Sequence, residues 1–520
     1  MTRESKLIVF VAVLASLLEI IDTSIVNVAL PTMMGNLGAT LEDISLVITG
    51  YAIANAIILP VSAWLGERIG RRTYFLGCII LFTLTSVACG FAPNLATLTV
   101  FRIFQGLAGG ALLPTSQTLI YEQFPKEKAG MAGAIFGMSV MIGPTLGPVM
   151  GGYLTDHFGW RSIFNVNLPL GIFALFIGYM VIHNAKKPAG DEKKVKPALD
   201  TMGISLMVAG IGCLQYILER GEADDWFSSK AIIINTIIAL VCLPTFVWWE
   251  TKAKNPIINV KLFKDKVVQN GVMMMSMLGF FLYGVVFLLP VFLGRAYHYD
   301  ATQIGMFFIP GSLITMAMMP FIGKTMQSGF NPKILIMIGF ALIELCLYSM
   351  TKFSPLTSQG EILRTLYIRG FAMAFLFVPI NSSILSQYSG INLGQVAGLL
   401  NLFRQIGGSA GIALVATLLN SRGHQNYQDL SNHASKLNPQ AQSYMQGLNL
   451  GMPTKLITDV GMNLNGAAAL KAFYYRVQNQ VFMMSFLQLT YIMMLIMLLA
   501  IFPIWRLRIK RGPVAIANEH

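Results

Sequence analysis

The sequence predicts an all-α polytopic membrane protein of fourteen spans: two six-helix bundles with two extra transmembrane helices between them. Three observations carry this expectation. Of 520 residues, 55% are hydrophobic and 12% charged, with a mean hydropathy of +0.62. A soluble domain carries about 25% charge, so too few charges remain here to cover a water-soluble surface. The apolar residues also fall into runs that meet the bilayer requirement of about 20 residues, and the basic residues collect on alternate sides of those runs. A soluble enzyme, a disordered chain and a fibrous protein are excluded.

The first span is read near residues 7–30. Arg3 and Lys6 precede it, but the run is too long for a signal-peptide core and no small-residue cleavage site closes it. Spans near 45–65, 73–92, 96–121, 130–153 and 163–183 complete an N-terminal bundle over 1–183. A basic cytoplasmic linker, 184–200, carries Pro188, Gly190 and Pro197. The extra pair, near 201–219 and 231–249, occupies 201–250 and is followed by a second linker, 251–266. The C-terminal bundle, 267–502, has spans near 267–293, 303–323, 333–352, 361–385, 395–419 and 479–502. A polar loop rich in Asn and Gln, 420–478, interrupts it on the outer side, with 470–478 read as amphipathic helix, and 503–520 form a cytoplasmic tail.

With the N-terminus inside, 23 basic residues fall in cytoplasmic segments and 11 in outer ones, five of those in the 420–478 loop. Both termini are therefore expected in the cytoplasm. The net charge of +13 is a cytoplasmic rim, not a nucleic-acid footprint. The five cysteines all fall in apolar stretches and read as buried free thiols.

The three remaining basic residues, Arg102, Arg369 and Arg404, lie inside spans, as do the acids Glu19, Asp22 and Glu344. Charge there is costly and marks function by default. Glu19 and Asp22 share one face of span 1. Two adjacent carboxylates in apolar surroundings resist double ionisation, which is what a reversible proton site needs. The plainer reading is a carboxylate satisfied by an arginine or by backbone, locking span 1 in place. Arg102 needs an anion or carbonyls, and Asp22 or Glu19 is its natural partner. Arg404 reads as structural and Glu344 as a packing residue. Arg102 and Arg369 stand 267 residues apart, and Pro60-x-x-Ala63 and Pro320-x-x-Gly323 stand 260 apart, in the order an internal duplication would give.

Four stretches carry a family resemblance. They are Asp22-Thr23-Ser24-Ile25-Val26-Asn27 through Pro31, Leu65-Gly66-Glu67-Arg68-Ile69-Gly70-Arg71-Arg72, Arg102-Ile103-Phe104-Gln105-Gly106, and Gly143-Pro144-Thr145-Leu146-Gly147-Pro148 through Gly151-Gly152. Nearly the whole chain resembles the major facilitator superfamily, and within it the fourteen-span drug:proton antiporters of the EmrB/QacA type, on the EmrB side. Trp160-Arg161 through Asn167-x-Pro169 and Asn401-x-x-Arg404-Gln405 agree with it.

The resemblance implies a transporter, not an enzyme: a multidrug exporter of the cell inner membrane, driven by the proton gradient and using no cofactor. It assigns proton coupling to Asp22, Glu19 and Arg102. It assigns gating to Glu67, Arg68, Gly70 and Arg71, whose charges would latch the cytoplasmic side across the bundle interface. The glycine–proline run, Gly143, Pro144, Gly147, Pro148, Gly151 and Gly152, would be the antiporter helix, its glycines every four residues making a flat packing face. Ala63 and Glu67 depart from the usual Gly and Asp of the loop motif. Asn27, Gln105, Gln117, Arg369, Asn401 and Arg404 are expected to line a substrate cavity for amphipathic compounds. A periplasmic adaptor and an outer-membrane channel are the implied partners, docking on the 420–478 loop, and no nucleic acid is expected. An exporter of one physiological solute, such as a fatty acid, siderophore or amino acid, is the alternative. No Walker motif points to ATP, and no His or Cys cluster points to a metal centre.

Overall fold

The computed structural model describes residues 2–183, 200–253, 255–433, 443 and 464–506. Most of the 184–200 linker, the middle of the 420–478 loop and nearly all of the 503–520 tail lie outside the described residues. The helices of the first half are α1 (Arg3–Leu37), α2 (Leu41–Ile58), α3 (Ser62–Ile69), α4 (Arg71–Gly90), α5 (Leu95–Glu122), α6 (Ala129–Phe158), α7 (Ser162–Asn165) and α8 (Asn167–Val181). Then come α9 (Thr201–Arg220) and α10 (Lys230–Lys252). The second half has α11 (Lys266–Tyr297), α12 (Ala301–Gln327), α13 (Pro332–Met350), α14 (Gln359–Leu385), α15 (Gly390–His433), α16 (Leu464–Leu498) and α17 (Ile501–Arg506). Among the described residues thirteen helices are long and apolar enough to cross a membrane, and up to fourteen if the bent pair α2–α3 is one span.

Three elements differ from expectation. The span read at 45–65 is broken: α2 and α3 meet at 62°, where Pro60 supplies no amide hydrogen to continue the helix. The loop read at 420–478 is helical at its start, because α15 runs on through His433, and the helix read at 470–478 begins earlier, at Leu464. The last span likewise breaks between α16 and α17, just before Pro503.

In the first half α1 packs on α6 and α8, and α5 packs on α2 and α4. In the second, α11 packs on α15, and α14 on α12 and α13. One continuous apolar core runs through both. The outward faces carry large exposed apolar side chains, such as Leu84, Phe176, Ile237, Leu240 and Val241. A contiguous apolar surface of this extent marks contact with lipid.

The halves meet along two flanks. On one, α6 packs on α12, where Gly130 and Gly323 bring the two backbones together. On the other, α2 and α3 meet α15: Gln405 Nε2 donates to the Ala52 carbonyl at 3.0 Å. Helix α9 spans this second flank. Arg220 Nη1 donates to the Glu42 carbonyl (2.9 Å) and to Ser45 Oγ (2.6 Å) at the start of α2. Gln215 Nε2 donates to Ser409 Oγ (2.7 Å), and Trp226 Nε1 to Thr417 Oγ1 (2.8 Å), both on α15.

Candidate functional site

The buried charges of the first half converge on α1. Asp22 is fully buried and Arg102 is 1% exposed. Arg102 Nη1 donates to Asp22 Oδ2 at 2.5 Å and to Gln105 Oε1 at 2.9 Å. Asp22 Oδ1 accepts from Gln105 Nε2 and Asn167 Nδ2, each at 2.9 Å. Asn167 also donates to Ser86 Oγ, which donates to the Phe164 carbonyl, both at 2.9 Å. The Arg102 guanidinium lies over the Tyr51 ring at 4.1 Å. Both Asp22 oxygens are thus occupied, and the ion pair knits α1 to α5 and α8 with the added bonds a buried pair requires.

Glu19, one turn earlier and 6% exposed, is placed differently. Its Oε1 accepts from Asn55 Nδ2 at 2.9 Å, while Oε2 is buried without a partner. Arg404, from α15 of the other half, is near enough to act electrostatically on this carboxylate. Arg404 itself donates to Tyr283 Oη (3.3 Å) and Asn401 Oδ1 (3.5 Å), and its Nε has no partner. The first half thus holds a buried carboxylate oxygen without a partner, and the second a guanidinium whose Nε has none.

Glycines make the approach possible. A β-carbon at Gly109 would sit 2.6 Å from Tyr51 Oη and 3.2 Å from Glu19 Cγ, and one at Gly110 would sit 2.6 Å from the Asn55 carbonyl. The glycines that follow Arg102-x-x-Gln105 thereby bring α2, with Tyr51 and Asn55, against the acids. On α6, Gly143 packs on Ile20, Gly147 on Ser24 and Gly151 on the Ile25 carbonyl, so the expected flat face meets α1 on either side of Asp22. Gly152 faces Thr302 of α12 in the other half. Pro144 and Pro148 lie within α6, and their side chains are outside the described residues.

The residues expected to line the cavity divide. Asn27 is exposed on α1, as is Thr23 one turn before it. Gln105 belongs to the Asp22 cluster. Gln117 and Asn401 are buried in a clasp between the halves: Asn401 Nδ2 donates to Gln117 Oε1 (2.7 Å), and Gln117 Nε2 donates to Asn381 Oδ1 (2.8 Å). Beside it Ser382 Oγ donates to the Ala129 carbonyl at 3.0 Å. Two amides that satisfy each other across a closed seam are not a free cavity wall. Arg369 is buried inside the second half.

In the loop motif two arginines find partners within their own half. Arg71 pairs with Glu122 of its own half, and Arg72 Nη2 donates to the Tyr179 carbonyl at 2.8 Å. Arg68 lies over the Trp64 ring at 5.2 Å, and Glu67 is exposed. Close backbone packing crosses the interface here. A β-carbon at Gly394 would lie 2.9 Å from Ala63 Cβ, and one at Gly398 would lie 2.6 Å from the Leu59 carbonyl. Gly70, with φ of 101°, makes the turn into α4. Glu67, Arg68 and Arg71 line a cavity of about 810 Å³ beside this seam.

Sequence reasoning missed Asn55, Tyr51, Ser86 and Asn381 as parts of these clusters, and it named Asn167 only within a stretch that carries the family resemblance. Residues 12–412 match the family model described as Major Facilitator Superfamily. The chain belongs to the major facilitator superfamily. It is a multi-pass membrane transporter. It is 34% identical over 441 residues to the multidrug export protein EmrB of Escherichia coli K12, covering 84% of this chain and 85% of that one. It is also 34% identical over 421 residues to the fatty acid resistance protein FarB of Neisseria gonorrhoeae, covering 81% and 82%. Among solved structures, the human organic anion transporter MFSD10 shares the fold at a TM-score of 0.59 and 14% identity, over 80% of this chain and 94% of that one.

Proposed function

We propose that the protein is a proton-coupled antiporter that exports amphipathic, hydrophobic toxic compounds across the inner membrane by alternating access, with both termini in the cytoplasm. The observation that carries this reading is the Glu19 carboxylate, buried at the interface with one unpartnered oxygen and Arg404 opposite. Asp22 and Arg102, with their bonds filled, anchor α1 within its bundle. Glu19 is the acid with room to take and release a proton. When charged it attracts Arg404 and draws the halves together. When protonated it releases that attraction, and an exchange of conformations follows.

In this reading the seam of Gln117, Asn381, Asn401 and Ser382 seals the cytoplasmic side, and the exposed positions on α1 face an outward cavity. Similarity to EmrB supports a broad substrate range. Similarity to FarB favours a second reading, export of one physiological amphiphile such as a fatty acid, and counterflow with a substrate panel separates the two. A periplasmic adaptor and an outer-membrane channel complete the proposal, docking on the projecting ends of α15 and α16. Deleting residues 420–478 should abolish adaptor co-purification.

The test is efflux of a fluorescent amphipathic cation from proteoliposomes under an imposed pH gradient. Transport should follow the gradient and stop when a protonophore collapses it. Transport that persists without the gradient overturns the coupling.

A further inference from the structure

The two halves repeat their contacts residue by residue. On α6, Gly143 and Gly147 pack on Ile20 and Ser24 of α1; on α15, Gly407 and Gly411 pack on Ser276 and Phe280 of α11. The glycines differ by 264 and their partners by 256 in both cases. A second helix pair repeats as well. Gly50 of α2 packs on Thr99 and Ile103 of α5, and Gly311 of α12 packs on Leu366 and Gly370 of α14, with offsets of 261 and 267. The second offset carries Arg102 onto Arg369. The first carries Val47, whose carbonyl accepts from Arg102 Nε, onto Phe308, over whose ring Arg369 lies at 5.3 Å.

The same register shows what the second half lacks. Asp22 falls on Leu278, Glu19 on Met275 and Gln105 on Ala372, all buried and apolar. The arginine is kept while its acid and its glutamine are gone. Arg369 is 6% exposed, its Nε is buried without a partner, and among the described residues no acid or hydrogen-bond acceptor holds its guanidinium. Arg404, the other buried guanidinium of this half, has Tyr283, Asn401 and the nearby Glu19. An arginine cannot shed its proton, and burying it unpaired is strongly unfavourable. Its two Nη groups, unbonded and not enclosed, are left open to a partner from outside the chain.

We propose that Arg369 is the binding subsite for a singly charged anionic group, which would serve its guanidinium as the Asp22 carboxylate serves Arg102 in the first half. A guanidinium matches a carboxylate through two parallel hydrogen bonds, and the apolar neighbours suit a single charge on an apolar body. The occupant is the carboxylate of a transported amphiphile or a small inorganic anion. The inference rests on the transporter reading, but its test requires neither transport nor a proton gradient.

The purified full-length protein is titrated with decanoic acid and with methyl decanoate, by displacement of a bound fluorescent amphiphile. The wild type should prefer the acid over its ester by about 10- to 100-fold, the range of one charge-assisted contact. Arg369→Gln should bring that ratio to about one. Leu278→Asp keeps the guanidinium but supplies the acid from within, at the register of Asp22; it should abolish the preference and raise the melting temperature. If Arg369→Gln does not fold, Leu278→Asp decides. A chloride titration in sulfate buffer separates the sources. Chloride that displaces decanoate from the wild type makes the site a general monoanion site; its failure to do so assigns the site to the amphiphile's carboxylate. A wild type that binds acid and ester alike, or a preference that survives both variants, overturns the proposal while leaving the efflux assay, and the exporter reading, untouched.

Discussion

Asp22 and Glu19 lie one helical turn apart and do different things, and the difference is in their bonds. Asp22 accepts from three side chains on two helices. Removing Arg102 strands a buried carboxylate, so Arg102→Ala should destabilise the folded protein by about 3–5 kcal/mol, read as a lower melting temperature in detergent. Glu19→Gln keeps a hydrogen-bonding group of the same size beside Asn55. It should insert and fold normally, and it should catalyse substrate exchange in counterflow while losing gradient-driven efflux. Gradient-driven efflux at the wild-type rate would remove Glu19 from the coupling. The ion pair was legible in the sequence because charge inside an apolar run is expensive and so conspicuous. Asn167 and Asn55 were not, because a neutral amide costs less to bury, and their partners lie 145 and 36 residues away.

At the scale of helices, the glycine face of α6 was legible as a packing surface from its four-residue spacing, and α1 is the partner it serves. Gly147 has no room for a larger side chain, since a β-carbon there would press on Ser24. Gly147→Val should cost about 1–3 kcal/mol through overpacking and lower the yield of folded transporter, whereas Gly77, with open space around it, should accept alanine without loss. Other features were hidden for physical reasons. Polar helix lacks the apolar run that betrays a span, so the end of α15 and the start of α16 before residue 470 read as loop. The Gln117–Asn381–Asn401 clasp depends on contacts some 264 and 284 residues apart, which no local pattern encodes. Its amides therefore looked available for substrate.

For the whole molecule, the seam between halves is the element that has to part if access alternates. Ala63→Cys combined with Gly394→Cys places two thiols in near contact across it. Oxidation should crosslink the pair, arrest transport and fix the state shown here, and reduction should restore activity. Transport that continues with the crosslink complete would mean that this seam never opens. The sequence announced two bundles and an extra pair of helices from apolar runs and basic loops, but not how the extra pair attaches, because the bonds of α9 are made by ordinary polar side chains at its C-terminal end.

That attachment would shape any rocking of one half against the other. Helix α9 is fastened to α2 by Arg220 and to α15 by Gln215, with Trp226 just beyond it adding a further tie. A book held by its binding opens only at the fore-edge. Laced to both covers, at the start of α2 and at the later turns of α15, α9 would act as that binding if access alternates, and the parting would fall at the other end of the flank, where Ala63 meets Gly394.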